Sequence, residues 1–368
     1  MNVFSERVRS IDISGIRKIF EGAGPNAINL GLGQPDFDTP EHIKRAAVQA
    51  ISQGFTAYTI NLGILELRQA LCSKFERENH FTVEPDEVIV TSGASEALHL
   101  ALSALVDKGD EVLIPDPGFV SYSALTKMAG GEVRGVPLGE DLTIKPDVVN
   151  ELIGSKTRAI IINSPSNPTG TVQTMKEIRE LAGIAEDNDI TIISDEVYEH
   201  FIYDGEHVSP AQFTDNVITI NAVSKTYAMT GWRIGYAAAK KEYIEQMLKV
   251  HQYIQACACS ISQKAAQAAI EGPQDCVQEM RESFMARRDL LLEGLNSMGI
   301  HCIRPQGAFY AFPEVEDEDA SRKLIENGVI VVPGTAFGEN GKGHIRISYA
   351  TASENIRKAL GIMEKVLT

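Results

Sequence analysis

Residues 217–225, VITINAVSK, run a β-branched apolar stretch straight into Lys225, which has Ser224 and Thr226 on either side and Arg233 eight residues further on. A lysine is rarely buried unless it is paired or reacting, and the end of a strand in an α/β sheet is where such folds hold ligands. The amine is therefore either a solvated loop lysine or a nucleophile and base. Four other strand-like runs end in the same kind of polar cluster. TSGASEAL (91–98) is strand, glycine turn and helix, so the helix start around Gly93, Ala94 and Ser95 is either a plain capped terminus or a cradle for a phosphate. GFVSY (118–122) places Phe119 just past a strand, as core packing or as a plate against a flat ring. NSPSNPTG (163–170) is dense in turn formers; Asn167 can donate to an oxygen on a ring, and Pro168 can lock the loop through a cis bond. SDEVYEH (194–200) ends a strand in Asp195, with Tyr198 three residues on and on the same side if a helical turn begins there. Asp195 is either a cap or a carboxylate holding a proton on a heterocyclic nitrogen.

The elements that must position these groups alternate. Runs at 87–93, 110–118, 158–170, 190–198, 217–225 and 233–239 are strand-like, and 95–106 and 174–188 carry helical periodicity. Near-continuous apolar strands between helices predict a mostly parallel sheet covered on both faces, with its polar strand ends on one rim. Residues 43–270 read as one large α/β domain. Past the break at EGPQD (271–275) come a long helical stretch, short strands near 308–313, 329–334 and 344–350, and a closing helix. Residues 271–368, with 1–42 packed back on them, read as a smaller α+β domain. A cleft between the two is the expected site.

A phosphate, a flat ring, a protonated ring nitrogen, a ring oxygen and an aldehyde that condenses with an amine would satisfy all five strand ends at once, and pyridoxal 5'-phosphate has all of them. The order of GQPDFDTP (33–40), YTINLGILELR (58–68), TSGASEAL, PGFVSY, NPTG, SDEVY, SKTYAMTGWRIG, GAFYAFP (307–313) and HIRISYA (344–350) resembles the fold-type-I, class I/II pyridoxal-phosphate aminotransferases, in the aspartate aminotransferase-like branch. The resemblance covers nearly the whole chain. It implies that Lys225 forms the Schiff base and moves the substrate proton, and that Asp195 pairs with the ring nitrogen. It further implies that Asn167 and Tyr198 bond the ring oxygen, and that Gly93, Ala94, Ser95 and Arg233 line the phosphate. Phe119 would stack on the ring. Tyr58 matches a tyrosine that reaches the neighbouring subunit's phosphate, which implies a homodimer with shared sites. Arg346 matches the arginine that clamps the substrate α-carboxylate, assisted by Gly33 and Asn167. Two positions depart from the pattern: Ala222 stands where some relatives carry a hydroxyl, so that one phosphate hydrogen bond would be either missing or replaced by Ser224, and Phe119 stands where several carry tryptophan or tyrosine.

With 34 Lys and Arg against 50 Asp and Glu, a formal charge of −16 argues against nucleic acid or an anionic membrane as partner. It also means that an anionic substrate needs local arginines. No apolar run approaches the ~18 residues of a membrane span, and MNVFSERVRS carries no apolar signal region, so a cytoplasmic enzyme is expected. Five cysteines without framework spacing read as free thiols, although CAC (257–259) also fits a metal fragment. TSGASEA lacks the spacing of a nicotinamide-binding turn. The expected reaction is ping-pong transfer of an amino group, from aspartate first and from aromatic or broad donors second, to 2-oxoglutarate. A β-C–S lyase on the same residues is the alternative. Arg17, in SGIRKIF (14–20), is a candidate for a distal carboxylate or a solvated helix charge.

Overall fold

The computed structural model describes residues 3–11, 27–315 and 317–368. In chain order the strands are β1 (Ile28–Asn29), β2 (Val88–Thr91), β3 (Glu111–Asp116), β4 (Glu132–Pro137), β5 (Thr157–Asn163), β6 (Thr191–Asp195), β7 (Val217–Ala222), β8 (Gly235–Ala238), β9 (Tyr310–Ala311), β10 (Val329–Ile330), β11 (Val332–Pro333) and β12 (Ile345–Ser348). Seven of them form one sheet in the order β2-β8-β7-β6-β5-β3-β4. β8 alone runs opposite to the other six strands.

Strand side chains alternate between faces, and the sheet's core residues sort accordingly. Val112, Ile114, Ala159, Ile161, Ile193, Ile218 and Ile220 pack in one apolar cluster with the helix Ala94–Leu105. Leu113, Ile160, Ile162, Ile192 and Val217 pack in another with the helix Met175–Asp187. Both faces are thus dry, and each fully buried isoleucine contributes about 1.5–3 kcal/mol. The second helix opens with a capping box: Thr174 Oγ1 accepts the Glu177 N–H at 3.2 Å, and Glu177 returns an acceptor to the Thr174 N–H at 3.0 Å. Its buried Ile178, Leu181, Ala182 and Ala185 keep one helical stripe.

The strand-like runs all become strands, and the periodic segments become helices. β4 has no counterpart in the sequence reading. It is the sheet edge and only Val136 is buried in it, so it carries no apolar run to detect. After Gly272 the chain forms the long helix Asp275–Ser297, a three-stranded antiparallel sheet β11-β12-β9, a two-residue parallel pair β1-β10, and the closing helix Ser353–Leu367. The long helix and the closing helix share one apolar cluster with Leu30, Phe309 and Tyr310. No helix among the described residues is long and apolar enough to cross a membrane.

Candidate active site

The parallel register decides what meets at the rim. Asn163, the last residue of β5, pairs with Asp195, the last of β6, and β7 runs past it into the short helix Val223–Thr226 that carries Lys225. These ends face a cleft of about 250 Å³, which is closed on its other side by Tyr310 and Arg346. A larger open groove of about 1390 Å³ lies towards β4. It contains none of Lys225, Asp195, Arg233 or Arg346, so the chemistry points to the smaller space.

Lys225 Nζ donates to the Gly33 carbonyl at 2.7 Å. Burial, with Arg233 and Arg346 nearby, pulls the amine down to about 8, against the opposing effect of Asp195. An amine at that value is a competent base near neutrality. Asp195 is buried, and burial pushes its carboxyl up to about 6 even though the Tyr122 hydroxyl donates to it at 2.7 Å. β6 stops at Asp195, and Val197–His200 forms a hydrogen-bonded turn rather than a helix, yet Tyr198 still lines the cleft with Asp195. The hydroxyls of Tyr198 and Tyr310 lie 2.9 Å apart. Burial raises both phenols, so both stay protonated.

Behind this turn the intervening glutamates point away from the cleft into a buried ionic network. Glu199 contacts Lys74 and accepts from Asn79 and Asn221, each at 2.6 Å. Burial raises the Glu199 carboxyl, but the charges of Lys74, His200 and His207 outweigh it and bring the group down to about 2. Glu196 accepts from Ser194 at 2.8 Å and Ser209 at 2.7 Å, and lies 2.9 Å from His207 Nε2. The turn is held from the rear by satisfied charges.

Arg346 is 2 % exposed. It donates to Asn167 Oδ1 at 2.9 Å and to the Gly31 carbonyl at 2.5 Å, and its guanidinium carbon sits 4.6 Å from the Tyr310 ring centroid. Its Nε is buried without a hydrogen-bond partner. Arg233 donates to the carbonyls of Thr230 and Ser92 at 3.0 and 3.4 Å, and among the described residues no carboxylate pairs with it. It holds a left-handed φ of 55°, uncommon outside glycine. Gly93 caps the helix Ala94–Leu105 at φ 81°, and a Cβ there would lie 2.4 Å from the Arg233 guanidinium. Gly33 is equally constrained, since its Cβ would meet the Tyr310 hydroxyl at 2.0 Å.

Ala94, Ser95, Phe119, Asn167 and Ser224 line the same cleft, and the Asn167–Pro168 bond is cis. Tyr58 lies elsewhere, 88 % exposed on the surface, and Arg17 lies outside the described residues. The sequence reading missed Tyr122, Tyr310, Asn163 and Gly31. Asn163 bridges two strand ends: its amide donates to the Asp195 carbonyl at 2.9 Å, and its Oδ1 accepts the Asn167 N–H at 2.8 Å. A shared strand-end register was the signal that could have found it.

Residues 25–362 match the aminotransferase class I and II family. The chain belongs to that family and is a transaminase. It is 50 % identical over 374 residues to a probable aspartate aminotransferase of Methanocaldococcus jannaschii, covering 99 % of this chain and 100 % of the relative. It is 42 % identical over 380 residues to an aromatic-amino-acid aminotransferase 2 of Thermococcus litoralis, covering 99 % and 98 %. The solved aspartate aminotransferase from Thermus thermophilus with maleate superposes at a TM-score of 0.96, with 41 % identity and 100 % of both chains covered.

Proposed function

We propose that this transaminase binds pyridoxal 5'-phosphate in the cleft and moves the amino group of aspartate to 2-oxoglutarate, returning to its starting form in two half-reactions. One observation carries the reading. Lys225, Arg233 and Arg346 converge on one cleft, none of them in a salt bridge among the described residues, and share it with a buried carboxyl at Asp195. Such a site asks for a dianion, a carboxylate and a cationic ring nitrogen, and the unpartnered Arg346 Nε fits a ligand oxygen.

When bound, the cofactor supplies an electron sink for the electron pair left at the substrate Cα. The chain's own residues do the rest. Arg346 orients the α-carboxylate through its planar fork, held flat by Tyr310 and fixed in direction by Asn167 and Gly31. Lys225, with its lowered basicity, takes the Cα proton and returns it elsewhere on the bound complex. Asp195 would hold a proton on the ring nitrogen, and Tyr198 and Asn167 would bond the ring oxygen. Gly93, Ala94, Ser95 and Arg233 would hold the phosphate, with Ser224 as a further donor beside Ala222, and Phe119 would pack against the ring. The large domain, 43–270, supplies the cofactor groups, and the smaller one, 1–42 with 271–368, supplies Gly33 and Arg346. Five free cysteines support a reducing, cytoplasmic setting.

Aspartate is supported by the aspartate aminotransferases among the relatives and by the dicarboxylate maleate in one of them. The aromatic relative supports an aromatic donor as the second reading. The test is an absorbance spectrum of protein purified with the cofactor, then a donor screen against 2-oxoglutarate with Lys225→Ala as control. The expected result is a coloured protein that turns over aspartate fastest. Its Lys225→Ala variant should fold but lose turnover by at least about a thousandfold, the scale of a general base. A colourless protein, or normal turnover without Lys225, overturns the reading.

A further inference from the structure

The helix start on the phosphate side of the cleft carries a charge that should oppose a phosphate. Glu96 is the third residue of the helix Ala94–Leu105 that follows the Gly93 cap. Its Oε2 accepts the backbone N–H of Ser92, and a carboxylate in the first turn suits the positive end of the helix. The same end is the one turned to a phosphate by Ala94, Ser95 and Arg233 in the reading above, and two like charges on one helix start repel. Glu96 does not face the cleft. Its Oε1 is engaged 2.9 Å away by Nδ1 of His251, from the helix Lys241–Ile254. The His251 side chain is fully buried and that of Glu96 only 8 % exposed.

An ionised carboxylate only accepts, so His251 Nδ1 carries the proton and donates. The other ring nitrogen, Nε2, is buried with no hydrogen-bond partner. Leaving a polar atom unsatisfied in the interior is costly, and an apolar side chain would fill the same space without that cost. The bond to Glu96 is thus what the imidazole contributes here that an apolar side chain would not.

We infer that His251 is a positioning residue for the cofactor phosphate: by holding the Glu96 carboxylate against the Ser92 side of the helix start, it keeps that negative charge out of the phosphate cradle. The inference rests on the proposed cofactor reading and adds to it a residue that touches neither cofactor nor substrate. It makes the effect specific to a phosphorylated ligand, because an uncharged group at that position feels no repulsion.

The test is equilibrium binding to cofactor-free protein of two probes, pyridoxal 5'-phosphate and pyridoxal, followed by absorbance. In His251→Phe the dissociation constant for the phosphorylated probe should rise about tenfold while that for pyridoxal changes less than about twofold, the scale expected for one charge at a helix terminus. Adding Glu96→Gln should restore phosphate affinity to within about threefold of the unsubstituted protein, since the opposing charge is gone. His251→Gln, which keeps an N–H donor, should bind like the unsubstituted protein. Equal weakening of both probes, or no change in the phosphorylated one, overturns the inference. If the unsubstituted protein does not prefer the phosphorylated probe, the cofactor reading fails and the inference falls with it.

Discussion

Tyr122 donates its hydroxyl to Oδ2 of Asp195 across 2.7 Å, from the first turns of a helix that starts just after Phe119. The two residues are 73 positions apart in the chain. The bond is the one side-chain donor to that carboxyl among the described residues, and it works against the burial that raises the group. Tyr122 thereby favours the ionised form of Asp195, the form that the proposed function sets opposite a ring nitrogen.

Removing that donor should therefore move the acid limb of the reaction. In Tyr122→Phe the Asp195 carboxyl should ionise at higher pH, and kcat at neutral pH should fall about tenfold, the cost of one hydrogen bond to a charged group. A pH–rate profile of the variant checks this. An unmoved acid limb would remove Tyr122 from the account.

The same carboxyl should leave a mark on the stability of the cofactor-free protein. Its ordinary value is 3.8 and burial raises it to about 6. A raised acid favours the folded state fully below the lower value, and that contribution is lost as pH climbs through the higher one. Asp195→Asn cannot ionise. Its unfolding free energy should match the parent near pH 4 and exceed it by about 3 kcal/mol above pH 7. Urea denaturation across that range measures the difference, which must grow with pH rather than stay flat.

Lys74 lies behind the turn that carries Asp195 and Tyr198, 1 % exposed and paired with Glu199. Lys74→Met would strand a buried carboxylate, so it should cost about 3–5 kcal/mol of stability. Adding Glu199→Gln to that variant should recover most of the loss, because no charge is left unpaired. Chemical denaturation of the two single variants and the double variant reads the coupling; additive losses would mean the pair is not coupled.

Tyr58 is the proposed site residue that stands apart from the cleft. It is 88 % exposed, in a segment fastened to the chain near Ala256 by Asn61, whose amide donates to the Ala256 carbonyl at 2.5 Å. Ile60, Tyr253 and Ile254 are exposed as well, at 57 %, 86 % and 50 %. An apolar, aromatic surface of this kind suits contact between two copies. Sedimentation should give twice the chain mass. Mixing inactive Lys225→Ala chains with Tyr58→Ala chains should restore activity, since the hybrid contains one site with both groups intact. A monomer, or no restoration, rules out shared sites.

Much of the site was legible before any fold was known, because strand ends are local. Near-continuous β-branched runs mark β5, β6 and β7, and residues at or just beyond their ends line the cleft: Asn167, Asp195, Tyr198 and Lys225. The sequence by itself determined which polar residues stand at the strand ends and that the sheet is covered on both faces, because backbone hydrogen bonding and apolar runs are local features that span a few residues. Only the tertiary structure decided which groups hold them. Tyr122 meets Asp195, Tyr310 meets Tyr198, Gly31 receives Arg346 and His251 takes Glu96, each from an element far along the chain. Their bonds depend on how helices and sheets dock, a long-range outcome that no local period encodes. The edge strand β4 was missed for the complementary reason: with one face open to solvent and only Val136 buried, its position is set by pairing with β3 rather than by its own apolar pattern.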